Sequence, residues 1–347
     1  MALLFIDGFD VGDIALKWTT AGNGGGHGAS ATTPYGAGLS LQLSESGGWQ
    51  IWKKNVTPSA TVYMGFAFMR TGDSRTAGSD PFVMVYSDNG ATVHLQVGLN
   101  NALGTYTLYL GSTAIATSAG SLHARGAWYF LEFAWKVDAV TGSFTMKQDG
   151  VTVLTFSGNT KNGGTSTNID AVGIKSMAFG YIGGQQGDGN YYFDDLYAGN
   201  GVGAVNNSFL GSCRVQTLLP TAAGSSTQLT PSVGSNWDNV NDVPYVSTTY
   251  NTGNTSGQRD TYAMGDLRAG TGTIFGVQDT IMALKSDAGS VSIKAAIKSG
   301  ATVYYDTTQS LTANLTDYSA LRETDPATSA AWTTASVNAI EFGAEIA

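Results

Sequence analysis

Four aspartates interrupt two short apolar runs: Asp7 and Asp10 in "FIDGFD" (5–10), and Asp194 and Asp195 in "YYFDDLYAGN" (191–200). Carboxylates that meet in space support three kinds of chemistry. A pair about 5–5.5 Å apart can cleave a glycosidic bond with retention. A larger set, helped by loop carbonyls, can supply the roughly six to eight oxygens of a calcium ion. Carboxylates at strand ends can instead accept the N–H groups of turns. Asp188 in "GDGN" (187–190) adds a nearby acid, but its surroundings do not match an EF-hand loop. The expectation is that Asp7, Asp10, Asp194 and Asp195 end two paired strands, with calcium binding as the alternative.

Other reactive side chains are sparse. The three histidines are His27 in a Gly-rich stretch, His94 in a strand-like run and His123 just before one, without close metal-ligand spacing. No Gly-x-Ser-x-Gly elbow is present. "GNGGGHG" (22–28) lacks the Lys-Ser/Thr of a phosphate loop and reads as a surface loop. Cys213 is the single cysteine, so no intrachain disulfide can form. It falls in a strand-like run and is expected to be a small buried side chain. Stacking platforms for sugars require exposed aromatic rings. Trp49 and Trp52 in "GGWQIWKKN" are three apart, so on a strand they point to opposite faces, one to the core and one outward. Tyr35, Trp237 and Tyr250 lie in loop-like sequence. These five are the candidates for carbohydrate or interface contacts.

The elements that must position these residues are strands. Val62, Met64, Phe66 and Phe68 alternate in "TVYMGFAFMR", and Tyr129, Leu131, Phe133, Trp135 and Val137 alternate in "WYFLEFAWKV", with Glu132 and Lys136 on the opposite, wet face. Hairpin signals sit at "SDNG" (87–90), "LGS" (110–112) and "QDG" (148–150). "AGNGVGAVNNS" (198–208) has linker composition. The sequence therefore predicts a domain over 1–200, a linker at 201–208 and a second β-rich domain to residue 347. In the second, "FLGSCRVQTLLP" (209–220) reads as a strand, 273–300 as two strands around "SDAG", and 227–257 as an unusually long loop. The last residues alternate Ile340, Phe342, Ala344 and Ile346 with Glu341, Gly343 and Glu345.

Charge narrows the partners. Lys+Arg number 17 and Asp+Glu 26, a net charge of -9. The first 200 residues carry 10 basic and 14 acidic side chains, the rest 7 and 12, so neither part is a basic surface for nucleic acid. No run approaches the ~18 apolar residues of a membrane span. The opening "MALLFIDGFD" lacks a positive n-region, so manufacture in a cytoplasm without a signal peptide is expected.

Residues 3–200, through "FIDGFD", the "WYFLEF" strand with its "DG" hairpin and "YYFDDLYAGN", resemble a concanavalin A-like (LamG-like) jelly-roll sandwich of the kind found in phage structural proteins. Residues 209–347 resemble the C-terminal module of phage and prophage virion proteins. The carriers are "FLGSCRVQTLLPTAAGSSTQLTPS", "NWDNVND", "GQRDTYAMGDL", "ALKSDAG", "IKSGAT" and "TDPATSAAWTTASVNAIEFG", in that order. The resemblance implies an all-β chain, a jelly roll followed by a second β-sandwich, with terminal strands of the jelly roll side by side. It implies a non-enzymatic tailed-phage virion component, at the tail, collar or head surface. Such a protein is assembled in the host bacterial cytoplasm with copies of itself and other virion proteins; contact of its outward module with host-surface glycans is a separate expectation. Glucanases on this fold carry Glu-x-Asp-x-x-Glu on one strand. None of the five glutamates here (Glu45, Glu132, Glu323, Glu341, Glu345) opens that pattern. A tail-associated carbohydrate-active enzyme and a free lectin-like module are the alternatives.

Overall fold

The computed structural model describes residues 2–10, 14–21, 27–36, 38–44, 50–72, 79–100, 102–176, 189–243, 245–270 and 272–347. The chain divides into two compact units. The first joins Met1–Asp10 to Trp18–Val215, and the second joins Val11–Lys17 to Gln216–Ala347. The first unit thus runs past the 201–208 segment and ends at Val215.

Both units are all-β. In the first, one sheet uses β1 (Leu3–Asp7), β3 (His27–Ser30), β4 (Ser40–Ser44), β6 (Thr61–Arg70), β11 (Tyr129–Lys136), β12 (Gly142–Gln148), β13 (Val151–Gly158) and β15 (Asn190–Gly199). Its order is β13-β12-β11-β6-β15-β4-β3, with β1 added beside β15. The other sheet uses β2 (Thr20–Ala21), β5 (Gln50–Ser59), β7 (Ser79–Ser87), β8 (Thr92–Asn100), β9 (Thr105–Leu110), β10 (Thr113–Thr117) and β14 (Ile169–Ser176), ordered β10-β9-β8-β7-β14-β5-β2. This is the jelly-roll sandwich that the resemblance implies, built from the strands that the alternation predicts. Val62, Met64, Phe66 and Phe68 of β6 and Leu131, Phe133 and Trp135 of β11 are buried on one face. Phe82 of the opposite sheet stacks on Phe68 with centroids 4.6 Å apart. The three hairpin signals close β7–β8, β9–β10 and β12–β13. Asp149 and Gly150 take φ of 49° and 81°, the left-handed pair that a two-residue hairpin loop requires.

The second unit is built on β16 (Pro220–Thr227), β19 (Arg259–Met264), β27 (Glu341–Ile346), β22 (Ser292–Ser299) and β23 (Thr302–Tyr305), in that spatial order, with β24 (Gln309–Ser310) beside β22. Three two-stranded ribbons accompany this sheet: β17 (Thr230–Pro231) with β18 (Asn251–Thr252), β20 (Val277–Asp279) with β26 (Ala320–Arg322), and β21 (Met282–Ala283) with β25 (Thr316–Asp317). The strands around "SDAG" therefore pair elsewhere and not with each other. Ile297, Trp332, Val337 and Ile340 form the core, with Leu218, Met264 and Val277 packed against it. Val337 is presented by a short helix, Thr334–Asn338, closed at its start by a Thr333–Ser336 capping box. No helix among the described residues is long and apolar enough to cross a membrane.

The run 209–219 is not a strand; the first strand of the second unit begins at Pro220. Several of its amides bond instead to side chains of the first unit's sheet.

Candidate functional site

Strand β15 has β6 on one side along its length, but its other neighbour changes. Tyr191 to Phe193 pair with β4, and Leu196 to Gly199 pair with β1. The ladder to β6 shifts register between Asp194 and Tyr197. Asp195 there takes φ 55°, a left-handed conformation that Asp tolerates better than most residues. The Asp194–Asp195 pair is thus a β-bulge at the point where β15 exchanges one partner for another. The terminal strands lie side by side, with Asp7 opposite Leu196.

Each acid is wired locally. Asp7 is fully buried and accepts from Phe9 N at 3.0 Å and Trp18 Nε1 at 2.9 Å. Asp10 accepts from Leu39 N at 2.6 Å. A Cβ on the neighbouring Gly38, whose φ is +88°, would stand 2.6 Å from the Asp10 carboxylate, so that approach requires glycine. Asp194 accepts from Asp195 N at 2.8 Å, and Asp195 from Val215 N at 2.7 Å. Burial first, then the Asp195 charge, with Asp10 and Asp7 adding to it, push the Asp194 carboxyl up to about 9. Asp194 therefore carries a proton at neutral pH. Among the described residues no group of three or more His, Cys, Asp or Glu side chains is arranged to hold a metal. Asp7, Asp10, Asp194 and Asp195 accept local amide and indole protons. Asp188 lies outside the described residues.

Glu132 departs from its expected wet position. It is 1% exposed although it faces outward from β11. Its Oε1 accepts from Tyr197 OH and Gly211 N, both at 2.8 Å. Leu210 N donates to the Tyr197 hydroxyl oxygen at 3.3 Å. Tyr197 lies flat over Gly65, where any side chain would enter the space of the ring. Segment 208–215 is therefore a strap across the outer face of the sheet, held by Glu132, Tyr197 and Asp195. Phe209 adds an edge contact to Tyr63, and Lys147 Nζ sits 4.2 Å above the Phe209 ring. Cys213 belongs to this strap and not to a strand. Burial, then Asp195 and Glu132, push its thiol well above the ordinary range, which disfavours the nucleophilic thiolate.

One pair imitates a hydrolase dyad. Ser87 Oγ and His94 Nε2 are 2.7 Å apart. His94 Nδ1, however, accepts the Asn162 N–H at 3.0 Å, so the ring proton belongs on Nε2 and is donated to Ser87. A histidine in that tautomer cannot take the serine proton.

Among the described residues, no ring contact joins the aromatic candidates within either unit. Trp52 is 1% exposed and packs on Trp18 and His27, so it is core and offers no stacking face. Trp49 lies outside the described residues. Tyr35 is partly exposed, but the Arg214 guanidinium covers its ring at 3.2 Å. Trp237 is half-buried ahead of a 3-10 turn, and Tyr250 is 51% exposed. Both belong to the long loop of the second unit, which is ordered against its own sheet. Asp260, fully buried, accepts from Gln228 N (2.6 Å), Leu229 N (2.8 Å), Asn236 Nδ2 (2.6 Å) and Tyr262 OH (3.1 Å). Asn251 Nδ2 donates to Asn236 O and Tyr262 OH, both at 2.8 Å.

A groove that the sequence did not single out lies on the outer face of β6, β11 and β12. Thr61, Lys136 and Ser143 form one ladder row, and Tyr63, Ala134 and Thr145 the next. Ser208 and Phe209 of the strap complete the lining of a space of about 320 Å³. The alternation marked Lys136 as outward, but nothing local announced Phe209 as a wall.

Compared with protein families and with curated proteins, the sequence finds no match. Solved structures overlay on part of it. Cip1, a cellulose-induced protein, has 15% identity, covers 60% of this chain and 100% of its own, and gives a TM-score of 0.43. For a sialidase the values are 11%, 57%, 18% and 0.41. For the carbohydrate-binding module CBM66 from Bacillus subtilis they are 13%, 53%, 96% and 0.34. Overlays this loose give no residue of this chain a role.

Proposed function

We propose that this protein is a non-enzymatic structural component of a tailed-phage particle, and that its first unit also contacts glycans on the host surface. One observation carries the non-enzymatic part. The buried acids a glycosidase would need are turned to the protein's own amides and hydroxyls, Glu132 and Asp195 under a strap of chain and Asp194 to the Asp195 amide. A retaining mechanism needs two carboxyl groups open to the sugar. The phage assignment rests on the sequence resemblance of 209–347. A chain without disulfides, weakly charged and rich in backbone pairing also suits assembly in many symmetric copies in a reducing cytoplasm.

Mass spectrometry of purified particles tests this reading. Many copies per particle, measured against the major capsid protein, are the expected result. Absence from particles that do assemble overturns it. Release of reducing ends from host polysaccharide, lost on replacing Glu132 or Asp195, would overturn the non-enzymatic part.

A further inference from the structure

The groove on the first unit has a chemistry of its own. Its floor is a two-by-three lattice of outward side chains on three paired strands. The depression exists because Ala134, at the centre of its row, is flanked by the larger Tyr63 and Thr145. Thr61, Ser143, Thr145 and Ser208 line it with hydroxyls, which donate and accept as sugar hydroxyls do. Tyr63 and Phe209, edge to face at 5.4 Å, give it an aromatic wall. The volume is at the small end for a small-molecule site, where pockets run about 300–1,000 Å³.

The charge on this groove is one-sided. Lys136 lies in the floor, and its hydrogen bond to Thr141 Oγ1 is long, at 3.4 Å. Lys147 stands at the edge over Phe209. No carboxylate lines the space among the described residues. Asp138, two positions beyond Lys136, accepts from the Thr141 and Val140 amides of its own loop, and these bonds, with the Lys136 charge adding to them, hold its carboxyl below the ordinary value. Glu132 is occupied by Tyr197 and Gly211 beneath the strap. In a chain of net charge -9, a lysine in a hydroxyl floor whose lining carries no carboxylate favours an anionic ligand.

We infer that this groove binds an anionic saccharide, a sugar bearing a carboxylate that Lys136 meets while the hydroxyl floor takes the ring. The inference rests on the glycan-contact half of the proposed function and gives it a place and a ligand class.

Calorimetric titration of the full chain with tetragalacturonate and with a neutral galactose tetrasaccharide tests it. The acidic ligand is expected to bind about tenfold or more tightly than the neutral one, the size of one charge-assisted hydrogen bond. Lys136→Gln should remove that preference and leave the thermal midpoint unchanged. Ala134→Leu, which fills the depression, should weaken both ligands. Equal affinity for the two sugars, no binding of either, or an acidic preference that survives Lys136→Gln overturns the inference. Particle composition is read separately. A protein found in the particle but blind to both sugars fails here alone. One that binds tetragalacturonate but is absent from particles fails the virion reading alone.

Discussion

Both units expose one face of a large antiparallel sheet, and both faces carry acids, yet the acids behave differently. In the first unit Glu132 and Asp195 lie under the strap and Asp194 is buried next to Asp195, and their partners are amides and a tyrosine hydroxyl. In the second unit Glu341 and Glu345 stand partly in solvent, and each adds a cation to its neutral donors, Ser225 and Thr261 for Glu341 and Tyr305 for Glu345. Lys298 meets Glu341 at 2.6 Å, and Lys294 meets Glu345 at 2.8 Å. Water is the difference. Where chain covers a sheet, a cation would lose more hydration than a neutral donor, so amides and protons satisfy the acid. Where water reaches the sheet, a lysine keeps its hydration and pairs across the strands.

The covered arrangement should be expensive to break. The largest effect is expected at Asp260, the buried acid that holds the loop of the second unit. Asp260→Ala leaves four donors without their acceptor, at a cost of about 3 kcal/mol or more. Chemical denaturation measures the loss, and hydrogen exchange should show 228–258 opening first. Glu132→Ala should cost somewhat less, about 2–3 kcal/mol, with faster exchange at Leu210 and Gly211. Glu132→Gln keeps an acceptor oxygen and should recover much of that. Unchanged exchange in the strap of Glu132→Ala would show that the acid does not hold it.

Asp194 sharpens the comparison because its covering has the opposite sign. Its folded carboxyl keeps a proton up to about pH 9, whereas the unfolded one loses it near 3.8. The folded state binds the extra proton throughout that window, so stability falls as pH rises through it. Asp194→Asn retains the oxygen that accepts from Asp195 N and removes the titration. It should stabilise the protein by on the order of 2 kcal/mol at pH 8, with the gain vanishing near pH 4. Thermal melts across that range check it. A gain independent of pH would mean that packing, not the proton, is responsible.

The hairpins and the sandwich were legible because Asp-Gly and Asn-Gly turns and period-two alternation are local signals. The meeting of "FIDGFD" with "YYFDDLYAGN" was legible as a pairing of terminal strands. The bulge was not, since it arises from β4 and β1 sharing one edge of β15. Run 209–219 reads as a strand on apolar content, yet Gly211 bonds to an acid 79 residues earlier. That same distant contact buries Glu132, whose strand alone marks it as wet. The groove has the same origin. Its floor follows from alternation, but its wall is Phe209, brought in by the strap.

The smallest effect is expected on the open face. Glu345 accepts from Lys294 at 2.8 Å and from Tyr305 OH at 2.5 Å, with Arg259 at 3.6 Å. Partial burial alone would raise its carboxyl, but Lys294 and Tyr305 hold it below the ordinary value. Its contribution is therefore present above about pH 4.5 and is lost as pH falls below that. The ion pair is reachable by solvent, so a Lys294→Met, Glu345→Gln cycle should give a coupling of about 0.5 kcal/mol. Molar salt should remove most of it. The Asp194→Asn gain at pH 8, arising at a buried carboxyl, should survive the same salt. If salt abolished both, Asp194 would be a solvent-screened acid, and the contrast between covered and open faces would fail.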